Sequence, residues 1–307
     1  MNRAAAKFLG ELLILIALPL LCTSCSPAED VSIKGYLCNS TLCNRVIAGL
    51  IDKASIGVAC ALYSVNSKVV LSALDMADGR IKLRVVTNNP ISKPYSKTAK
   101  TSALMHNKFC IFDGKVVLTG SFNPGNSNEM NSIVVIQSPE LAELFTSEFE
   151  ELWAGIFGKG EASNGGHLKD VKAYFCPEDD CGAKMVSEIM KAKHEISFLY
   201  YSFTLGEAGL AILAMHRAGV KVKGVFEESQ LSNYSVYQLL KYQGLNVKTE
   251  GSSAILHHKL MIIDNTTILI GSFNPTQNAQ LRNDENLLII RNPNLAIQYA
   301  QSSGYAG

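Results

Sequence analysis

The feature that most constrains this chain is a stretch it contains twice. "LMHNKFCIFDGKVVLTGSFNP" occupies Leu104 to Pro124, and "LHHKLMIIDNTTILIGSFNP" occupies Leu256 to Pro275. Each reads as a strand, a turn and a second strand, with a histidine and a lysine set among hydrophobic neighbours. The similarity reaches further back. "YLCNSTLC" at Tyr36 to Cys43 matches "YFCPEDDC" at Tyr174 to Cys181, an offset of 174 − 36 = 138, and Tyr63 and Ser64 match Tyr201 and Ser202 at the same offset. At the histidines the offset is 257 − 106 = 151, so the second copy carries 151 − 138 = 13 more residues, expected around "EESQLSNYSVYQLLKYQG". A period this long, with each copy large enough to hold its own sheet, describes a duplicated domain.

Both copies share one grammar. An amphipathic helix (Thr41 to Lys53; Cys181 to Lys193) leads into an apolar strand (Ile56 to Tyr63; Ile196 to Tyr201). A helix and a β-rich strand follow (Asn66 to Ala77 and Ile81 to Val86; Glu207 to Ala218 and Val220 to Phe226). The histidine-bearing hairpin, a last strand and a closing helix from Pro139 or Pro293 complete each unit, the second helix being the shorter. Strands alternating with helices predict an α/β class, and the hairpin makes the pairing mixed. Residues 155–170, "GIFGKGEASNGGHLKD", are rich in glycine and polar groups and read as the linker between halves at 25–154 and 171–307.

The first 24 residues stand apart. Arg3 and Lys7 precede the apolar run Leu12 to Cys22, an order that fits an export signal and a length too short for a comfortable membrane span. Ending in "LPLLCTSC", the segment resembles a bacterial lipoprotein signal, which makes Cys25 a lipidation candidate. Plain secretion and an uncleaved anchor are the other readings. Without residues 1–24 the chain has 28 − 2 = 26 basic and 27 − 1 = 26 acidic residues, so it lacks the broad basic footprint of a dedicated nucleic-acid binder. In an exported protein, Cys38–Cys43 and Cys176–Cys181 read as one disulfide per copy. Cross-repeat bridges and a four-thiolate zinc site are alternatives, while Cys60 and Cys110, on apolar strands, read as buried small hydrophobes.

Residues two apart on a strand face the same side, so His106 points with Lys108 and His257 with Lys259. One such pair is an ordinary solvated strand. Two, each followed at equal spacing by an aspartate (Asp113, Asp264) and then Gly-Ser-Phe-Asn, are a site. Lysines suit non-bridging phosphate oxygens, one neutral histidine can attack phosphorus, and the other can protonate the leaving oxygen. Asn123 and Asn274 can donate to phosphoryl oxygens with Ser121 and Ser272 in support, and Asp113 and Asp264 close the strands by bracing the lysine or the backbone. His258 must face the other way, and His167, His194 and His216 have no paired ligand, so no metal site is expected. Tyr63 and Tyr201 end inner strands and read as packing. The acid-free loop carrying Lys93, Lys97 and Lys100 is a solvated loop or a funnel for an anionic substrate.

Both stretches resemble the His-Lys-Asp signature of the phospholipase D superfamily, over nearly the whole chain after residue 24. The resemblance implies a duplicated α-β-β-α sandwich with its halves about a pseudo-twofold axis, chemistry without metal or other cofactor, and a chain that works as a monomer because it holds both motifs. It also implies His106 as nucleophile and His257 as general acid and base. Family members often place a histidine-orienting carboxylate downstream, in an Asn-x-Glu-Asn run. Glu285 in "NDEN" fills that place, whereas "NEMN" aligns Met130 with it and leaves Glu129 one residue away. The expected function is therefore an exported phospholipase D acting on a phospholipid at a membrane surface, with phosphatidyl transfer to an alcohol as a variant. A metal-independent nuclease is the alternative, and an idle lipid- or envelope-binding protein the third reading.

Overall fold

The computed structural model describes residues 31–302 apart from residue 252. The segment expected to be an export signal, residues 1–24, and Cys25 lie outside the described residues. In the first half the elements run β1 (Ser32–Asn39), α1 (Ser40–Lys53), β2 (Gly57–Leu62), α2 (Lys68–Ala77), β3 (Lys82–Thr87), β4 (Ser96–Thr98), β5 (Lys108–Phe112), β6 (Val116–Gly120), β7 (Glu129–Gln137) and α3 (Pro139–Ala154). In the second they run β8 (Val171–Cys176), α4 (Cys181–Ile189), β9 (Glu195–Tyr200), α5 (Gly206–Arg217), β10 (Lys221–Glu227), α6 (Val236–Tyr242), β11 (Asn246–Glu250), β12 (Ile255–Leu256), β13 (Lys259–Ile263), β14 (Thr267–Gly271), α7 (Gln277–Leu281), β15 (Glu285–Arg291) and α8 (Pro293–Ser302).

Helix starts follow local chemistry. Asn39, Ser67, Ser138 and Asp180 accept hydrogen bonds from the first turns of α1, α2, α3 and α4, and Pro139 opens α3, where its missing N–H costs nothing. Gly155, in the left-handed region at φ 86°, ends α3.

The two sheets have matching order. The first is β1-β7-β6-β5-β2-β3-β4, and the second, read from its other edge, is β8-β15-β14-β13-β9-β10-β11. Parallel pairs (β2 with β3, β9 with β10) sit beside antiparallel hairpins (β5 with β6, β13 with β14), which is the mixed pairing the sequence predicts. The extra residues of the second copy build α6 and the short helical turn before it, between β10 and its parallel neighbour β11.

Among the described residues, three hydrophobic cores hold the layers. One joins α1 and α2 to the first sheet through Ile47, Ile51, Val70 and Leu74. Another joins α4, α5 and α6 to the second through Met185, Ile212 and Leu240. The third draws on both halves. Phe145 and Phe149 of α3 and Leu295 and Tyr299 of α8 pack with Phe109, Phe175 and Leu260 in one cluster. Burying each such side chain contributes about 1.5–3 kcal/mol, so this shared core fixes the halves against each other and makes a site between them rigid.

Cys38–Cys43 and Cys176–Cys181 are paired within their copies. Cys60 and Cys110 correct the sequence reading. They are fully buried but bonded to each other, because β2 and β5 pair in a register that sets them directly opposite, with Cα atoms 4.1 Å apart. Cross-strand register is not written in either strand alone.

Candidate active site

The two histidine-bearing segments enter the site by pairing with the opposite half. His106 lies just before β5, and its N–H donates to the carbonyl of Asp284, just before β15. In mirrored fashion β12 runs parallel to β7, and the His257 N–H donates to the carbonyl of Met130. Each half thus delivers its histidine to the other half's last strand. The glycine of each Gly-Ser-Phe-Asn permits this close weave. A Cβ on Gly120 would overlap the carbonyl of Ser132, and one on Gly271 the carbonyl of Asn286.

His106 donates from Nδ1 to both carboxylate oxygens of Glu285, at 2.8 Å each. A carboxylate only accepts, so the proton sits on Nδ1 and the Nε2 lone pair is left for substrate. His257 Nδ1 contacts Asn131 Oδ1 at 2.9 Å, and Glu129 Oε2 lies 3.6 Å from the same nitrogen. Ser121 Oγ already donates to Asn131 Oδ1, so that oxygen is the acceptor and His257 too carries its proton on Nδ1. Ser272 does the same for Glu285, at 2.7 Å. Both serines are fully buried behind the histidine partners, one step further from phosphate than the sequence reading placed them.

Lys108 and Lys259 are each 1% exposed. Each ammonium donates to the carbonyl of its own histidine, at 2.7 and 2.9 Å, and lies over a tyrosine ring, Tyr63 at 5.3 Å and Tyr201 at 4.8 Å. Burial pulls Lys108 down to about 7 and Lys259 well below its ordinary value. Burial likewise lowers His106 to about 4, although Glu285 opposes it, and lowers His257 well below 6.5, with Lys259, Lys108 and His106 adding to the effect. These mutual effects place the four groups in a single site, where burial disfavours positive charge until an anion enters. Asn123 and Asn274, half-buried, each hold an Oδ1 with no hydrogen-bond partner.

Tyr63 and Tyr201 belong to the site. They stand edge-on to His106 and His257, at 5.2 and 4.8 Å between ring centroids, and carry the lysines on their faces. Their matched positions in the two copies are the available signal, and the packing the sequence predicts is against the histidine and lysine of their own half. His258 is buried on the other side of its strand and pushed down to about 3 by burial.

Asp113 and Asp264 are not at the site. Each lies at the far end of its strand, about 17 Å from the lysine at roughly 3.3 Å per residue, in a left-handed turn conformation. Asp113 accepts from the N–H groups of Ser55, Ile56 and Gly57, and Asp264 from those of Lys193, His194 and Glu195. Burial works against their ionisation, but these N–H groups prevail and hold both carboxyls below the usual range. They brace backbone, not lysine.

The alignment of Met130 with Glu285 is also corrected. Gly120 pairs with Ile133 and Gly271 with Leu287, so the offset grows from 271 − 120 = 151 to 287 − 133 = 154 across the loop that holds α7. Asn131 is therefore the counterpart of Glu285. Cys38 opposite Asn131 and Cys176 opposite Glu285 give the same equivalence.

Two duplicated mixed sheets that present a His-x-Lys pair from each half across one pseudo-twofold site define the phospholipase D class of fold. The chain belongs to that family. The family model described as cardiolipin synthase, PLD-like domain, matches it twice, at residues 29–153 and 185–303. The chain is 30% identical over 135 residues to a phospholipase D of Rickettsia typhi, covering 44% of this chain and 66% of that protein. It is 28% identical over 126 residues to a mitochondrial cardiolipin hydrolase of Xenopus tropicalis, covering 40% and 60%. These matches span less than two thirds of either relative's length. The solved phosphatidylserine synthase of Haemophilus influenzae shares the fold, with a TM-score of 0.69 at 12% identity over 91% of this chain and 87% of that one.

Proposed function

We propose that the chain is an exported phosphodiesterase of the phospholipase D type, which hydrolyses the headgroup phosphodiester of a phospholipid through a phosphohistidine. One observation carries this reading: two histidines from different halves, each with Nδ1 tied to a polar partner and a buried lysine two residues on, meet in one site.

The chemistry follows from the wiring. A phosphodiester brings negative charge between Lys108 and Lys259, which favours their protonated form and draws a proton onto His257. The Nε2 lone pair of His106 attacks phosphorus, the P–O bond to the headgroup breaks, and His257 gives its proton to the departing oxygen. Water then loses a proton to His257 as its oxygen attacks phosphorus, and the N–P bond breaks with its pair returning to His106. An alcohol in place of that water gives phosphatidyl transfer. Both histidines lie in one chain, so a monomer holds the complete site.

The printed names of the relatives, phospholipase D and cardiolipin hydrolase, favour a lipid substrate. The basic loop does not favour nucleic acid, because Lys93 is ion-paired with Asp75 and Lys97 lies over the Trp153 ring at 4.2 Å. Export is supported by the order of the first 24 residues and by three cysteine pairs, which suit an oxidising compartment. Cys25 as a lipid-bearing residue would hold the protein at a membrane.

The test uses the wild type, His106→Ala and His257→Ala on labelled phospholipid vesicles and on single-stranded DNA, with EDTA present. Headgroup release lost in both variants is the expected result. DNA cleavage without lipid turnover would overturn the lipid reading.

A further inference from the structure

The acid and the amide that serve each histidine have exchanged places between the two halves. With Asn131 equivalent to Glu285, the residue two before it, Glu129, is equivalent to Asn283. The second half therefore reads amide-x-acid (Asn283, Glu285), and the first reads acid-x-amide (Glu129, Asn131). His106 touches its carboxylate directly at 2.8 Å, with the Asn283 amide 3.5 Å behind that carboxylate. His257 touches its amide at 2.9 Å and has its carboxylate at 3.6 Å. Glu129 and Asn131 lie two apart on β7 and so share a face. Glu129 Oε2 and Asn131 Nδ2 are both buried and have no hydrogen-bond partner, an acceptor and a donor left over beside the same imidazole.

We propose that Glu129 is the positioning residue for His257, its charge held one step back behind the Asn131 amide, and that this inverted pair makes His257 the proton-transfer residue while the direct Glu285 contact makes His106 the nucleophile. The proposal rests on the phosphodiesterase reading of the site.

The physical reason is that the two roles need opposite things. A nucleophile that becomes a phosphohistidine acquires ring charge, and a carboxylate in direct contact offsets it. A proton donor must also release its proton within the same turnover, and a direct carboxylate would hold that proton too firmly. An amide contact fixes the tautomer without that grip, and a carboxylate at 3.6 Å supplies a moderate pull. The charged and titratable groups facing His257 are Lys259 and His258 on its own strand, Lys108 and His106 from the first half, and Glu129 on β7. Glu227 at the end of β10 acts on the adjoining Tyr201, as Glu129 does.

The test compares two substrates whose leaving groups need the acid to different degrees. Bis(p-nitrophenyl) phosphate releases a stable phenolate without a proton, whereas a phospholipid headgroup leaves as an alkoxide and needs one. For Glu129→Gln we expect lipid turnover to fall about tenfold to a hundredfold and nitrophenyl ester turnover less than about threefold. The alkaline limb of lipid kcat/KM should also move to lower pH, since removing an anion weakens the imidazolium. The double exchange Glu129→Asn with Asn131→Glu, which recreates at His257 the direct contact seen at Glu285, should leave lipid turnover low and move the alkaline limb to higher pH, whereas Glu285→Gln should slow both substrates. An equal loss on both substrates in Glu129→Gln, with an unmoved pH limb, would overturn the assignment while leaving the phosphodiesterase reading intact. No turnover of either substrate by the wild type would overturn both.

Discussion

Replacing Asp113 separates the two roles a signature aspartate can have. Its Oδ1 accepts from Ser55, Ile56 and Gly57 N–H groups at 3.1, 2.7 and 3.0 Å, and its Oδ2 from the Ser55 N–H and hydroxyl at 3.0 and 3.2 Å. Asn tolerates the left-handed backbone at φ 53° and keeps one acceptor oxygen, so Asp113→Asn removes the charge and the Oδ2 bonds alone. Because the donors are partly open to water, the loss is about 1–2 kcal/mol, or about 2–3 °C in Tm for a chain of this size. Asp113→Ala adds about 1 kcal/mol for a β-carbon without a polar group in that conformation. The carboxyl titrates lower folded than unfolded. Its contribution is therefore present above the unfolded value of about 3.9 and fades as pH falls through the folded one, so the gap between wild type and Asp113→Asn should close in acid. Calorimetry from pH 7 downward and phosphodiester turnover per folded molecule are the assays. A tenfold drop in kcat at unchanged Tm would refute the bracing role and return Asp113 to the chemistry.

Other variants probe the scaffold. Cys60→Ala with Cys110→Ala opens a loop of sequence separation 50 and should cost up to about 4 kcal/mol, read by denaturant melts, with kcat little changed. Gly271→Ala should lose activity and several kcal/mol together, since its methyl would overlap the Asn286 carbonyl beneath the site, whereas Gly79→Ala, in open space, should pay only for its backbone at φ 78°. Tyr201→Leu should raise KM and lower kcat several-fold with little change in Tm, because the ring seats Lys259 and abuts His257.

Much of this was legible because the chain states it twice. The repeat gave the sheets, the paired histidines and lysines, the disulfides Cys38–Cys43 and Cys176–Cys181, and the insertion that became α6. What could not be read was register. Cys60 faces Cys110 only because β2 and β5 pair as they do, and Asn131 replaces Met130 as the counterpart of Glu285 only because α7 lengthens one loop. Depth along a strand was the other blind spot. Five residues from lysine to aspartate carry Asp113 and Asp264 to the opposite end of the sheet, where the pattern in sequence suggests company at the site. An aromatic at a strand end reads as packing from sequence alone, and the role of Tyr63 and Tyr201 lies in what they touch.

The central claim is that one histidine from each half serves a single phosphoryl-transfer site, with His106 forming the covalent bond. Rapid quenching in alkali during turnover of bis(p-nitrophenyl) phosphate, followed by peptide mass spectrometry, tests it most directly. The account predicts an acid-labile nitrophenylphosphoryl adduct on the peptide containing His106 in the wild type, the same adduct in His257→Ala, and none in His106→Ala. An adduct on the His257 peptide, or turnover that survives His106→Ala, would contradict it.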